Sequence, residues 1–204
     1  MILPAEFYEG DSVELARNLI GMRLVHETRT GLVSGRITET EAYLRDDPAC
    51  HASRGMTKRN AAMFGPPGHA YIYLIYGTYY CFNVVSGPEG IGEAVLIRAL
   101  EPLEGIEKMQ RRRGTKDVHN LCSGPGKLVI ALGIPRDINF HPLTRRPLYI
   151  TDLPGKPAPE DIVATPRIGL SVACDVKLRF YLKGSRFASR RCLLTTKPAR
   201  HKSN

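Results

Sequence analysis

AYIYLIYGTYYCFNVVS, residues 70–86, is the stretch on which the fold turns. Five of its first eleven residues are tyrosine and β-branched residues follow, a composition that suits strands. Gly77 interrupts the run near its middle, so the segment reads as a hairpin with its bend near Gly77. Strand side chains alternate faces, which sets Tyr71 and Tyr73 on one face and Ile72 and Leu74 on the other. Tyr79 and Tyr80 read as packing residues. Tyr76 falls at the bend, where core burial is least expected. An aromatic ring at a hairpin tip can wedge between stacked bases, and aromatic faces in a cleft can hold a base, a cationic one more strongly. The plainer alternative is that tyrosines are good strand residues and simply pack.

Working outward, residues 11–20 read as a helix capped by Asp11, with Val13, Ala16 and Ile20 at helical spacing before Gly21. Residues 22–28 and 32–44 read as strands joined by a turn at 29–31, and residues 46–68 as irregular, with one helical turn around 59–63. On the other side, residues 94–100 read as a buried strand and 103–113 as a helix with a basic end. A second helix opens at Gly124-Pro125 and runs through Leu132. Short strands follow at 148–151, 167–172 and 178–183. Fifteen prolines and nineteen glycines favour many short elements, and regular βα alternation with a GxGxxG turn is absent, which argues against a dinucleotide-binding fold. The expected architecture is α+β: one domain, residues 1–189, on a curved, mostly antiparallel sheet with flanking helices, followed by a basic tail, 190–204.

The chain of 204 residues is long enough for one full core. No apolar run approaches a membrane span, and the acidic N-terminus lacks the basic region of a secretory signal, so a cytoplasmic or nucleoid-associated protein is expected. Nine of the 29 basic residues follow Asp175, the last acidic one, which leaves 20 basic against 20 acidic residues before it. The whole excess of +9 therefore lies in the C-terminal segment. Such one-sided charge suits a polyanion such as nucleic acid, or serves only to solubilise. Five cysteines without a CxxC pair and six histidines without an HxxxH pair give no reason to expect a disulfide framework, a metal or another cofactor.

Residues 37–43, ITETEAY, are the candidate for a general base beside an aromatic platform. As a regular strand they place Ile37, Glu39, Glu41 and Tyr43 on one face. Two carboxylates there are expensive to bury without a purpose, unless the face is a solvated stripe on an edge strand. His51 follows within eight residues of Tyr43, with Arg54, Lys58 and Arg59 beside it.

ITETEAY, HASRGMTKRNAAMFGPPG, YIYLIYGTYYCFNVV, VLIRALEPLEG, LCSGPGKL and RFYLKGS together resemble the 3-methyladenine (alkyladenine) DNA glycosylase family, in family order from about residue 7 to residue 187. The resemblance implies a monofunctional glycosylase that flips a damaged purine out of duplex DNA and hydrolyses its N-glycosidic bond. It makes Glu41 the base that activates water and puts Arg98 near that water. Tyr43, His51 and Tyr73 would stack around the base, and Tyr71 would support His51. Asn83 would discriminate against guanine's exocyclic amine, and Tyr76 would fill the vacated gap. Charge alone, not the resemblance, makes Arg54, Lys58, Arg59, Arg190 and Arg191 the expected DNA contacts. The implied partner is double-stranded DNA with damaged purines, bound by a monomer away from any membrane. The implied fold is similar to the C-terminal domain of formyltransferases. Two other readings remain. A non-catalytic damage-binding module would explain Tyr76 and the tail but not the two glutamates. Formyl transfer rests on the fold analogy alone.

Overall fold

The computed structural model describes residues 1–75 and 77–189; Tyr76 and residues 190–204, with Arg190 and Arg191, lie outside the described residues. The Asp11 carboxylate accepts hydrogen bonds from the backbone N–H groups of Val13 and Glu14 at 2.8 and 2.9 Å and starts α1 (Ser12–Asn18). The chain turns at Gly21, where φ is +88°, into β1 (Arg23–Thr28) and β2 (Gly31–Tyr43). The tyrosine-rich stretch is a hairpin of β3 (Ala70–Ile75) and β4 (Tyr79–Val85), with Gly77 at positive φ in its tip. Tyr80 packs on the core as expected, but Tyr79 is half exposed, lying over the backbone of Gly126.

Next come β5 (Ala94–Glu104) and three helices: α2 (Ile106–Arg113), α3 (Val118–Leu121) and α4 (Pro125–Leu132). The strand outlasts its expected end because Glu101, Pro102 and Glu104 still pair with β2, so α2 begins only after Gly105 turns the chain. The last strands are β6 (Leu148–Thr151), β7 (Ile162–Thr165) and β8 (Arg179–Leu182). The strand expected at 167–172 is instead a loop. Its ladder ends at Pro166, which has no N–H to donate, and the β-branched run just before it forms β7.

Among the described residues every strand pairing is antiparallel, in the order β3-β4-β5-β2-β1-β6, with β8 added to β2 and β7 to β8. The long β2 is the spine. One edge carries β5, while the other pairs first with β1 and then, from Glu39 to Glu41, with β8. The result is a single α+β domain on a curved antiparallel sheet. Among the described residues no helix is long and apolar enough to cross a membrane.

A pair of bulges breaks the regular alternation where β2 meets β5. Ile37 pairs with Leu100, Glu39 with Ala99 and Thr40 with Ile97, so Thr38 is extra on β2 and Arg98 is extra on β5. Each extra residue reverses the faces beyond it. Ile37 therefore does not share a face with Glu39, Glu41 and Tyr43. It lies in the main core with Ala42, and Leu100 joins Val95 and Ile97 there. That core fills the space between the sheet and the helices, through Leu15, Ile20, Phe82, Met109 and Leu132 among others. A smaller cluster around Cys50, Met63, Tyr71 and Val85 lies under the irregular segment, which includes one helical turn, Ala61–Phe64.

Candidate active site

The two bulges turn Glu39, Glu41 and Arg98 toward one another. Both glutamates are fully buried, and Arg98 is 8% exposed. Glu41 Oε2 accepts from the Tyr43 hydroxyl at 2.9 Å and from Arg98 Nη1 at 3.1 Å, while Oε1 accepts from the Ile168 backbone N–H at 2.9 Å. Glu39 Oε1 accepts from Arg98 Nε at 3.1 Å, Arg179 Nε at 2.6 Å and the Ser189 hydroxyl at 2.6 Å; Oε2 accepts from the Ser189 backbone N–H. Two carboxylates and two guanidiniums thus balance in a buried network, which meets the cost of burying each charge. Burial alone would lower the Arg98 pKa, but Glu41 and Glu39 outweigh it and raise it, so the guanidinium stays charged. Burial, and then the Glu41 carboxylate, raise the Tyr43 pKa, so its hydroxyl keeps its proton and donates it.

Beside this network is a cavity of about 310 Å³ lined by Tyr43, His51, Tyr71, Tyr73, Asn83 and Arg98, together with Ile168 and Leu170. Regular alternation on β3 brings Tyr71 and Tyr73 to the same side, as the sequence pattern implies. The Tyr71 hydroxyl lies 3.0 Å from His51 Nδ1. The His51 ring stacks on Tyr73 with centroids 3.7 Å apart and planes 27° apart. A flat ligand therefore has to lie against this pair, not between its members. Desolvation, with the Arg59 guanidinium as a second cause, holds the His51 pKa below the ordinary histidine value. Asn83 Nδ2 donates to the Tyr71 carbonyl at 2.9 Å, which fixes its amide across the hairpin. Cys81 also lines the cavity, and burial pushes its thiol up to about 11, so it stays neutral there.

Every residue expected to hold a base or activate water is thus gathered at one cavity or directly behind its wall. The expected DNA contacts are more scattered. Arg54 and Lys58 are exposed on the loop that begins at His51. Arg59 reaches back to the hairpin, its guanidinium 5.2 Å from the Tyr73 ring centroid and Nη2 donating to the Leu74 carbonyl. Three cationic or hydroxyl groups of the site carry no individual signal in the sequence. Arg167 bonds the Ala42 carbonyl and Asp47 and lies 4.6 Å over the Tyr43 ring. Arg179 and Ser189 complete the shell of Glu39. Only the RFYLKGS block pointed toward that region.

A family model described as methylpurine-DNA glycosylase matches residues 6–186. A protein of Methanoculleus marisnigri named "Putative 3-methyladenine DNA glycosylase" is 56% identical over 193 residues, 94% of this chain and 100% of its own. A protein of the same name from Carboxydothermus hydrogenoformans is 52% identical, with the same coverage of both chains. One from Chlorobaculum parvum is 48% identical over 203 residues, covering 98% of this chain and 96% of its own.

Proposed function

Since the chain belongs to the methylpurine-DNA glycosylase family, we propose that it is a monofunctional DNA glycosylase. It takes an alkylated or deaminated purine out of double-stranded DNA and hydrolyses the N-glycosidic bond with a water activated by Glu41, leaving an abasic site for base excision repair. The observation that carries this reading is a buried carboxylate, Glu41, joined through Tyr43 and Arg98 to the wall of an aromatic cavity.

Stacking hides the target bond inside a duplex, so the nucleotide has to leave the helix before any chemistry. Tyr76, to which the resemblance gives the wedge role, fills the gap. The extruded base lies against Tyr43 and against the His51–Tyr73 pair, and a positively charged alkylated base gains most from such faces. A neutral His51 adds no repulsion. The Asn83 amide, already bound to the Tyr71 carbonyl, cannot turn freely to accommodate the exocyclic amine of guanine.

An ionised carboxylate has about four lone-pair sites, and Glu41 uses three of them on Tyr43, Arg98 and Ile168. We assign the fourth to a single water. As the bond to the cationic base breaks, that water attacks the anomeric carbon and Glu41 takes its proton. The carboxylate also stabilises the positive charge that develops on the sugar. Among the described residues no lysine lines the aromatic cavity, which favours hydrolysis over a Schiff base. Arg54, Lys58 and Arg59, with Arg190 and Arg191, supply phosphate contacts to a monomer formed of a glycosylase domain, 1–189, and a basic tail. A relation of the curved sheet to the C-terminal domain of formyltransferases belongs to the same proposal.

The test is incubation with duplexes that each carry one lesion (3-methyladenine, 7-methylguanine, hypoxanthine or ethenoadenine), followed by alkali cleavage. Strand breaks at the lesion, and none without alkali, are expected. Tight lesion binding with no breaks on any duplex would favour the damage-binding module.

A further inference from the structure

We propose that Glu39 is a positioning residue that fixes Arg98, and through it Glu41, and that Ser189 seats Glu39 for this task; the proposal rests on the glycosylase reading of the cleft. Neither glutamate itself lines the aromatic cavity, but the three donors to Glu41 all line it, whereas of the residues that bond Glu39 only Arg98 does. The four donors to Glu39 come from three places in the chain: Arg98, Arg179 and, twice, Ser189. Arg98 meanwhile presents Nε to Glu39 and Nη1 to Glu41. A guanidinium is planar and rigid, so holding one edge sets the direction of the other. With Glu39 in place, Arg98 gives Glu41 a single hydrogen bond and leaves a lone pair for water.

Without the Glu39 charge, Arg98 and Arg179 lose the anion that separates them, and Glu41 becomes the nearest carboxylate for Arg98. The guanidinium then turns more of its donors onto Glu41 and occupies the lone pair that water needs. The binding cavity, built on β3, β4 and the His51 loop, is not part of this rearrangement. The expected defect is therefore in chemistry rather than in lesion affinity. Ser189 matters because it supplies two of the four donors to Glu39, on β2, from the segment that follows β8.

The experiment measures single-turnover excision and lesion-duplex affinity in parallel, on full-length protein and a lesion that the wild type removes. Glu39→Gln is expected to slow excision by about tenfold or more while the Kd stays within about threefold of wild type, and Glu39→Asp to recover part of the loss. In an Arg98→Ala background, Glu39→Gln is expected to add nothing, because its effect passes through Arg98. A folded Glu39→Gln with the wild-type rate, or full additivity with Arg98→Ala, overturns the proposal. If Glu39→Gln does not fold, Ser189→Ala removes one donor from a less buried position. It is expected to slow excision by about threefold at unchanged Kd, and a wild-type rate there overturns the proposal as well. A wild type that releases no base from any duplex sinks the glycosylase reading instead, so the two failures are told apart.

Discussion

At the scale of single residues, Glu41 carries the sharpest expectation. Glu41→Gln keeps the shape of the side chain but cannot take a proton from water. We expect lesion binding within a few-fold of wild type and a loss of about 10²–10⁴ in single-turnover excision, the usual share of a general base. Wild-type excision by this variant would end its assignment as the base. His51 gives a pH prediction. Its folded-state pKa lies below the unfolded value, so acid favours the unfolded chain and the protonated ring. The stability that the neutral ring contributes is present above about pH 6.5 and is lost as pH falls through the folded pKa. In the same window a protonated His51 repels a cationic base. Binding to a 7-methylguanine duplex should then weaken on acidification more than binding to a hypoxanthine duplex, and a parallel decline of both in anisotropy titrations would point to another group. That Glu41 shares a face with Tyr43, and Tyr71 with Tyr73, was legible in the sequence because strand alternation pairs them; that both faces belong to one site came only from the family resemblance. Ile37 was misread because nothing in ITETEAY marks the extra Thr38 opposite an extra Arg98. Arg167, Arg179 and Ser189 were illegible because they come to Glu39, Tyr43 and Asp47 from 120 or more positions away.

At the scale of elements, the hairpin was the most legible part, since Gly77 and the strand-forming composition specify both arms and the turn. Its tip yields a prediction. Tyr76→Ala should weaken nucleotide flipping by about 1–3 kcal/mol, the worth of one base–aromatic contact. The loss should be larger for a lesion in a good pair than in a mismatch, which opens more cheaply. A fluorescent base analogue beside the lesion reports the flipped population, and equal losses on both duplexes would rule out a wedge. The start of α1 was equally legible, since Asp11 has the one side chain suited to its two free N–H groups. Asp11→Ala should cost about 0.5–2 kcal/mol in urea unfolding, with excision intact in the surviving folded fraction. Segment 167–172 was not legible as a loop: its apolar residues look like a strand but face the cavity, where Ile168 and Leu170 form wall rather than ladder.

At the scale of the whole molecule, charge is divided between a neutral body and a basic C-terminal segment. Cutting directly after Ser189 would put a chain-end carboxylate beside Glu39 and Arg179, so the informative truncation stops after Leu193. It removes Lys197, Arg200 and Lys202. We expect weaker binding to lesion and undamaged duplexes alike, a nearly constant ratio between them, and a salt slope shallower by at most about three units, at about 0.9 per phosphate neutralised. An unchanged slope in a salt titration would leave the phosphate contacts to Arg190 and Arg191, which this truncation keeps, and to the loop of Arg54 and Lys58. Arg112 and Arg113 are poorer candidates, since each donates to a helix carbonyl, of Ala131 and Leu121 respectively. The buried network of Glu39 and Glu41 has one more consequence, which concerns synthesis. Its acids belong to β2, near the start of the chain, whereas the Ile168 N–H, Arg179 and Ser189 leave the ribosome more than 120 residues later. Until they emerge, Glu39 and Glu41 have only Arg98 and Tyr43 as partners and must remain hydrated. On the glycosylase reading, a nascent chain that has not yet reached Arg179 therefore lacks a complete catalytic centre, and one that terminates before that point should be inert toward the genome that encodes it.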